Sequence, residues 1–271
     1  MRETFNRQLT ELRQELVSIY ANIDLALHDA VDALAEGDRD RAKEIKARTR
    51  ELDERCAKLE DDAYGLIVLQ QPVAGDLRLI QFVIYANFNL ARMSNHVRNV
   101  AKTAKRCAGR KVPGQLLDLL ASEGHLVYRV LGACVQAIVE EDLRLATSLP
   151  TLDEPVDELY KQFFRTLATL GPDEDLDAAS RVIMASRMLE RISDNAIEIG
   201  ERLVFLLTGK RRSLDDLADL DDDELGGMYA ARGVGLAVDK RVDERLARQI
   251  PEVHLGHAPE DSGEGSEGHG E

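Results

Sequence analysis

Residues 189–200 read LERISDNAIEIG and residues 90–101 read LARMSNHVRNVA, so one hydrophobic frame occurs twice, with Arg191 and Ser193 matched by Arg92 and Ser94. A repeat constrains a chain strongly, because each copy must be one structural unit and the units must bury their apolar faces together. The likeness extends along the chain. Ala35-Glu36-Gly37-Asp38 corresponds to Val139-Glu140-Glu141-Asp142, Leu52-Asp53-Glu54 to Leu152-Asp153-Glu154, and Asp76-Leu77 to Asp175-Leu176. The offset stays between 99 and 104. Charged and turn positions match as well as apolar ones, which coincidence between amphipathic helices does not explain.

The copied unit reads as helical. The chain has no Trp and only 4% aromatic residues, while Leu, Ala, Glu, Asp and Arg dominate, a mixture that favours packed helices over sheets. Six helical patterns fall at about 4–36, 38–69, 75–108, 113–140, 142–169 and 174–208. In the third, Leu77, Ile80, Ile84, Phe88, Ala91 and Asn95 recur at three- and four-residue steps; in the sixth, Val182, Ala185, Leu189, Ile192, Ala196, Ile199 and Leu203 do. Gly37-Asp38, Gln71-Pro72, Gly109 with Pro113-Gly114, and Gly171-Pro172-Asp173 separate the patterns, and Asp76 and Asp173 are candidate N-caps. The expected fold is all-α: two tandem three-helix bundles, residues 1–110 and 111–212, side by side, followed by a flexible acidic tail at 213–271.

That tail carries most of the net charge of −15. From Ser213 onward 16 Asp and Glu stand against 5 Lys and Arg, leaving 34 acids and 30 bases for residues 1–212. A mildly acidic body argues against non-specific nucleic-acid binding, which rests on many phosphate contacts from Lys and Arg, so no nucleic-acid partner is expected. Within the tail, Val238, Val242, Leu246 and Ile250 are spaced for a short amphipathic helix, whereas residues 258–271 lack the apolar content to order themselves. His254, His257 and His269 read as solvated.

No window reaches the roughly 18–20 uninterrupted apolar residues of a membrane span. The N-terminus, MRETFNRQLTELRQEL, has no apolar secretory core. The expected location is the cytoplasm. Cys56, Cys107 and Cys134, an odd count without metal-type spacing, read as buried reduced thiols.

Chemistry could reside in carboxylates. Glu190, Asp194 and Glu198 lie on one helix face, and Asp153 and Asp157 form a similar pair on the preceding helix. If those helices pack antiparallel, the acids converge, and such a group must protonate or share a cation. Oxygen donors suit magnesium, manganese, calcium or iron better than a Cys/His zinc cage does. The competing reading is a solvated face on which Arg187 and Arg191 pair locally with Glu190 and Asp194. No Gly-rich phosphate loop, Ser/His/Asp constellation or Glu-x-x-His pair within a helix occurs, so the expectation is that the protein is not an enzyme.

The duplicated trio, with Gln71-Pro72-Val73-Ala74-Gly75-Asp76-Leu77-Arg78 in one copy and Leu189-Glu190-Arg191-Ile192-Ser193-Asp194 in the other, resembles the PhoU family of phosphate-signalling regulators. The likeness covers residues 1–212. It implies an adaptor that represses phosphate-starvation signalling, with the ATPase subunit of a phosphate ABC transporter and a sensor histidine kinase as partners. It also implies a homo-oligomer, a dimer, reaching the inner face of the membrane only through its partners. It further implies a metal ion (magnesium, manganese, iron or zinc) at Glu190, Asp194 and Asp157, with Asp153 and Glu198 as additional candidates. The first repeat departs from that pattern: Glu60 and Asp61 remain on the second helix, but Ala91 and Asn95 stand where the third-helix acids belong. One metal site is expected instead of two, and Ser193 replaces the usual Gly before the Asp. The alternative from another class is a carboxylate-bridged metalloprotein with redox or storage activity.

Overall fold

The computed structural model describes residues 2–218 and 220–229, which contain helices and no strand. The first repeat is α1 (Arg2–Glu36), α2 (Arg39–Gln70) and α3 (Ala74–Cys107); the second is α4 (Gly114–Glu140), α5 (Leu143–Thr147), α6 (Leu149–Leu167) and α7 (Leu176–Thr208), followed by α8 (Asp215–Ala218) and α9 (Asp222–Tyr229). Each trio packs internally, and the trios meet along α3 against α7 and α1 against α4. One apolar core runs through both.

The turn signals act where the sequence placed them, with two corrections. Asp38 and Asp142, equivalent in the two copies, both cap helix N-termini, Asp38 accepting from the N–H groups of Asp40 and Arg41 and Asp142 from that of Leu145. Asp175, not Asp173, caps α7 by accepting from the Ala178 N–H, and Asp76 lies inside the first turn of α3. The expected fifth helix is broken. Pro150 has no N–H and its ring opposes the carbonyl four residues back, so the chain kinks at Ser148 into a short α5 and a longer α6.

In α7 the predicted stripe is buried throughout. The α3 stripe is displaced: Leu77 and Phe88 are exposed and so is Asn95, while Leu79, Val83, Ala86, Leu90, Met93, Val97 and Val100 form the core face. α3 packs against α1, α2 and α7 together, so it needs a broader apolar surface than one stripe supplies. Cys56, Cys107 and Cys134 are buried and free, as expected.

Residues 213–229 do not leave the body. Leu214, Leu217 and Leu225 are buried in the common core, and α9 rests on α5 and α7. The Asp-rich composition masked three leucines spaced to face one surface. The amphipathic pattern at Val238–Ile250, residues 258–271 and the three tail histidines lie outside the described residues. Gly200 of α7 permits this docking, because a Cβ there would stand 2.6 Å from Leu149 Cδ1 and 3.3 Å from Leu214 Cδ1. Gly200→Val is therefore expected to cost about 1–3 kcal/mol and to speed tryptic cleavage after Lys210–Arg212; unchanged proteolysis would contradict this packing.

Candidate functional site

The acids of the second repeat stand on α6 and α7, which pack against each other. Asp153 and Glu190 are buried, Asp194 and Glu198 are half-buried, and Asp157 is exposed. Desolvation raises the Asp153 carboxyl to about 6, against a hydrogen bond from Ser193, and the charges of Asp157 and Asp194 raise it further. Glu190 is raised by desolvation and then by Asp194. Asp194 is raised by desolvation, lowered by Arg191, and raised again by Asp157 and, weakly, Glu198. The two helices thus bring Asp153, Asp157, Glu190 and Asp194 within each other's fields, with Glu198 at the rim.

They do not form a finished cage. Among the described residues no three His, Cys, Asp or Glu side chains are gathered to hold a metal ion. Arg187 donates to Glu190 Oε1 while its guanidinium lies 5.2 Å from the centre of the Tyr160 ring. Arg191 sits 3.7 Å from Asp194 Oδ2 and 3.8 Å from Glu190 Oε2. Ser193, in the place of the glycine, donates to Asp153 Oδ1. The local pairing read from the sequence is therefore present, and so is the convergence. The donor set still suits a hard cation: Glu190 Oε2 is buried without a hydrogen bond, and carboxylate and hydroxyl oxygens are the ligands such ions take.

The first repeat holds the corresponding place differently. Ser94 donates to Asp53 Oδ1 at 3.0 Å, the counterpart of Ser193 with Asp153. Arg98 then supplies the positive charge: its guanidinium donates to Asp53 Oδ2 and, at 3.0 Å, to the Thr49 carbonyl. Ala57, Ala91 and Asn95 stand opposite Asp157, Glu190 and Asp194, and Ile197 stands opposite Arg98. Glu60 and Asp61 do not belong here. Both are exposed, and Asp61 lines a groove of about 590 Å³ between α1 and α2 with Glu11, Glu15 and Arg55.

Sequence reasoning missed Glu123. This α4 residue is 0% exposed, and desolvation raises its carboxyl to about 9, against a hydrogen bond from Ser186. Its ionisable and hydroxyl neighbours are Glu190 and Ser186. The signal was present: Leu116, Leu120, Glu123, Val127 and Val130 follow helical spacing, so an acid interrupts the apolar stripe of α4.

Known proteins match this arrangement twice over. The PhoU domain matches residues 16–104 and 120–203, the two trios. The phosphate-specific transport system accessory protein PhoU homolog 1 of Methanothermobacter thermautotrophicus is 29% identical over 207 residues, covering 75% of this chain and 94% of that protein. The homolog 1 of Mycobacterium leprae is 30% identical, covering 77% and 95%. The crystal structure of PhoU from Pseudomonas aeruginosa superposes with a TM-score of 0.69 at 27% identity, covering 76% of this chain and all of that one. The regulatory protein PhoU from Streptococcus pneumoniae shares the fold, with a TM-score of 0.71 at 23% identity over 77% of this chain. Two copies of one domain, each laid over one helix trio, place the assignment beyond a single motif: the chain belongs to the PhoU family, whose members here are phosphate transport accessory proteins.

Proposed function

We propose that this protein represses phosphate-starvation signalling when phosphate is plentiful, as a cytoplasmic, non-enzymatic adaptor between the ATPase subunit of a phosphate ABC transporter and a sensor histidine kinase. The observation that carries the reading is the duplicated helical body, which spans nearly the full length of relatives named as phosphate-specific transport system accessory proteins. Two features support an adaptor. No helix among the described residues is long and apolar enough to cross a membrane. Around the Gln71-Pro72 turn, Tyr64, Val68, Leu69 and Val73 are exposed, the last three by more than 70%, and contiguous apolar surface of this kind marks sites of protein contact. The same proposal includes self-association as a dimer.

A metal ion held by Asp153, Asp157, Glu190 and Asp194, with Glu198 at the rim, belongs to the reading. Magnesium, manganese, iron or zinc would neutralise acids that now raise one another. Its entry requires Arg187 to leave Glu190 and Arg191 to leave Asp194.

The test is a tagged chain recovered from cells grown in high and low phosphate, together with a deletion strain carrying a phosphate-starvation reporter. The expected result is co-purification of the transporter ATPase or the kinase, and reporter output that stays high in the deletion strain at high phosphate. Unaltered uptake and reporter output in that strain would overturn the proposal.

A further inference from the structure

We propose that the cleft between the C-terminal half of α3 and the N-terminal half of α7 binds a small phosphorylated metabolite, its phosphoryl group held by Lys102 and Arg106 with Arg181 at its edge. The inference goes beyond the adaptor reading and uses none of the second-repeat acids. The cleft has a volume of about 370 Å³, within the range of small-molecule sites. Those three cations and one carboxylate, Asp177, line it. That carboxylate is already engaged. Arg181 donates to it through Nε and Nη2 at 2.9 and 3.1 Å, and Arg110 pairs with it while donating to Asp175 at 2.8 and 2.7 Å. Two guanidiniums and two carboxylates cancel there, so Lys102 and Arg106 are left over. Lys102 donates to the neutral amide oxygen of Asn99 at 2.9 Å, and among the described residues neither cation has a carboxylate partner.

The fold does not require this pair. Lys102 and Arg106 stand four residues apart on one helix face, where like charges destabilise a helix. A cation in the last turn complements the helix dipole, which accounts for Lys105 and Arg106 but not for Lys102 a turn earlier. Nor does it account for Arg181, near the positive end of α7. The repeat supplies an independent comparison. The offset of 99 that aligns α3 with α7 puts Glu201 and Phe205 opposite Lys102 and Arg106, and Gln81 and Phe82 opposite Ser180 and Arg181. At that opposite end Arg202 lies 3.9 Å from the centre of the Tyr85 ring, and the two helices meet without the cationic pair. Lys102 and Arg106 therefore answer something other than the helix contact, and an anion from solution supplies the missing charge.

An ammonium and guanidiniums around one point suit a phosphoryl oxyanion. Its charge of about −1.5 to −2 near neutral pH matches two uncompensated cations better than a single carboxylate does. The cleft is roomier than a phosphoryl group alone needs. Met184, 58% exposed, and Met188 form another part of its wall, and such thioether chains adapt to flat or irregular apolar groups. An organic body attached to the phosphoryl group would cover them.

The test titrates ADP, adenosine and inorganic phosphate into the full chain by calorimetry at low salt, with chelator present so that no metal at the second-repeat acids bridges to the nucleotide. ADP is expected to bind, adenosine not to, and inorganic phosphate to bind more weakly than ADP. Lys102→Gln combined with Arg106→Gln is expected to weaken ADP about tenfold or more. Lys105→Gln, which removes a neighbouring exposed cation outside the cleft, should leave ADP within about twofold of wild type. Without ligand the double variant should melt no lower than wild type, since it relieves a like-charge pair, which separates a lost contact from a damaged fold. Met184→Ser is expected to weaken ADP and leave inorganic phosphate unchanged. Inorganic phosphate binding as tightly as ADP would overturn the organic ligand. ADP that fails to bind, or that binds the double variant as well as it binds Lys105→Gln, would overturn the site, whereas the adaptor reading is judged separately by the deletion strain.

Discussion

Arg13→Ala is expected to destabilise the protein by about 3–5 kcal/mol. Arg13 lies on α1, is 4% exposed, and reaches across the seam between repeats to the C-terminus of α4. Its guanidinium donates to Glu141 Oε1 at 2.9 Å and to the Ile138 and Val139 carbonyls at 2.8 and 3.0 Å. The last carbonyls of a helix have no intrahelical donor, and the helix dipole places negative charge there, so one cation serves as cap and as charge partner. Glu141 turns the chain out of the helix with φ of 55°, which brings its carboxylate back toward Arg13. Removing the guanidinium takes a donor from two carbonyls, one buried and one partly buried, and from the Glu141 carboxylate. Urea unfolding followed by far-ultraviolet circular dichroism would measure it; a midpoint within experimental error of wild type would show that the seam does not depend on Arg13.

Glu123→Ile should act in the opposite direction, raising stability of the metal-free protein by about 1–4 kcal/mol at pH 7.5, which for a chain of this size is several degrees in Tm. The first repeat already carries Ile19 at this place. The pH dependence distinguishes the cause. In the unfolded chain a Glu carboxyl ionises near 4.5, while in the native protein burial holds the proton on Glu123 up to about 9. Between those values the native state binds one proton more than the unfolded state, so wild-type stability falls as pH rises through that window. Below about 4.5 both states are protonated and the group contributes nothing. Melting temperatures of wild type and variant should therefore differ least near pH 4.5 and separate progressively toward pH 9. Asp24, raised to about 7 by burial, leaves a smaller slope of the same sign in the variant. Curves separated by a constant amount at every pH would show that Glu123 is not the buried acid responsible.

The helix ends were legible because Gly37, Gln71-Pro72 and Gly109 stop helices for local reasons: both glycines have positive φ, and Gln71 adopts a left-handed conformation ahead of a proline. The equivalence of Asp38 and Asp142 was legible for the same reason, since an N-cap needs only its own first turn. The α3 stripe was misread because α3 is central, and a helix with neighbours on three sides is buried at positions that no single period marks. The break at Ser148 follows from Pro150 and could have been anticipated from the residues alone.

At the candidate site, the sequence supplied the acids and the tertiary structure supplied their company. That the second repeat keeps Glu190 and Asp194 where the first has Ala91 and Asn95 is a matter of spacing along one helix, and a duplicated pattern displays it without coordinates. Arg187 and Arg191 answer those acids from the same helix, but the rest of each site's surroundings depends on contacts between residues far apart in the chain: Arg98 on Asp53 in one repeat, Ser193 on Asp153 in the other, and Glu123 approaching Glu190 from α4. Helical periodicity is a short-range property, set by backbone hydrogen bonds four residues apart, so the chain declares its rods and their apolar faces by itself. Desolvation and charge pairing depend on every helix that closes over a group, and only the packed arrangement of α4, α6 and α7 decides which carboxylates are left without an internal cation.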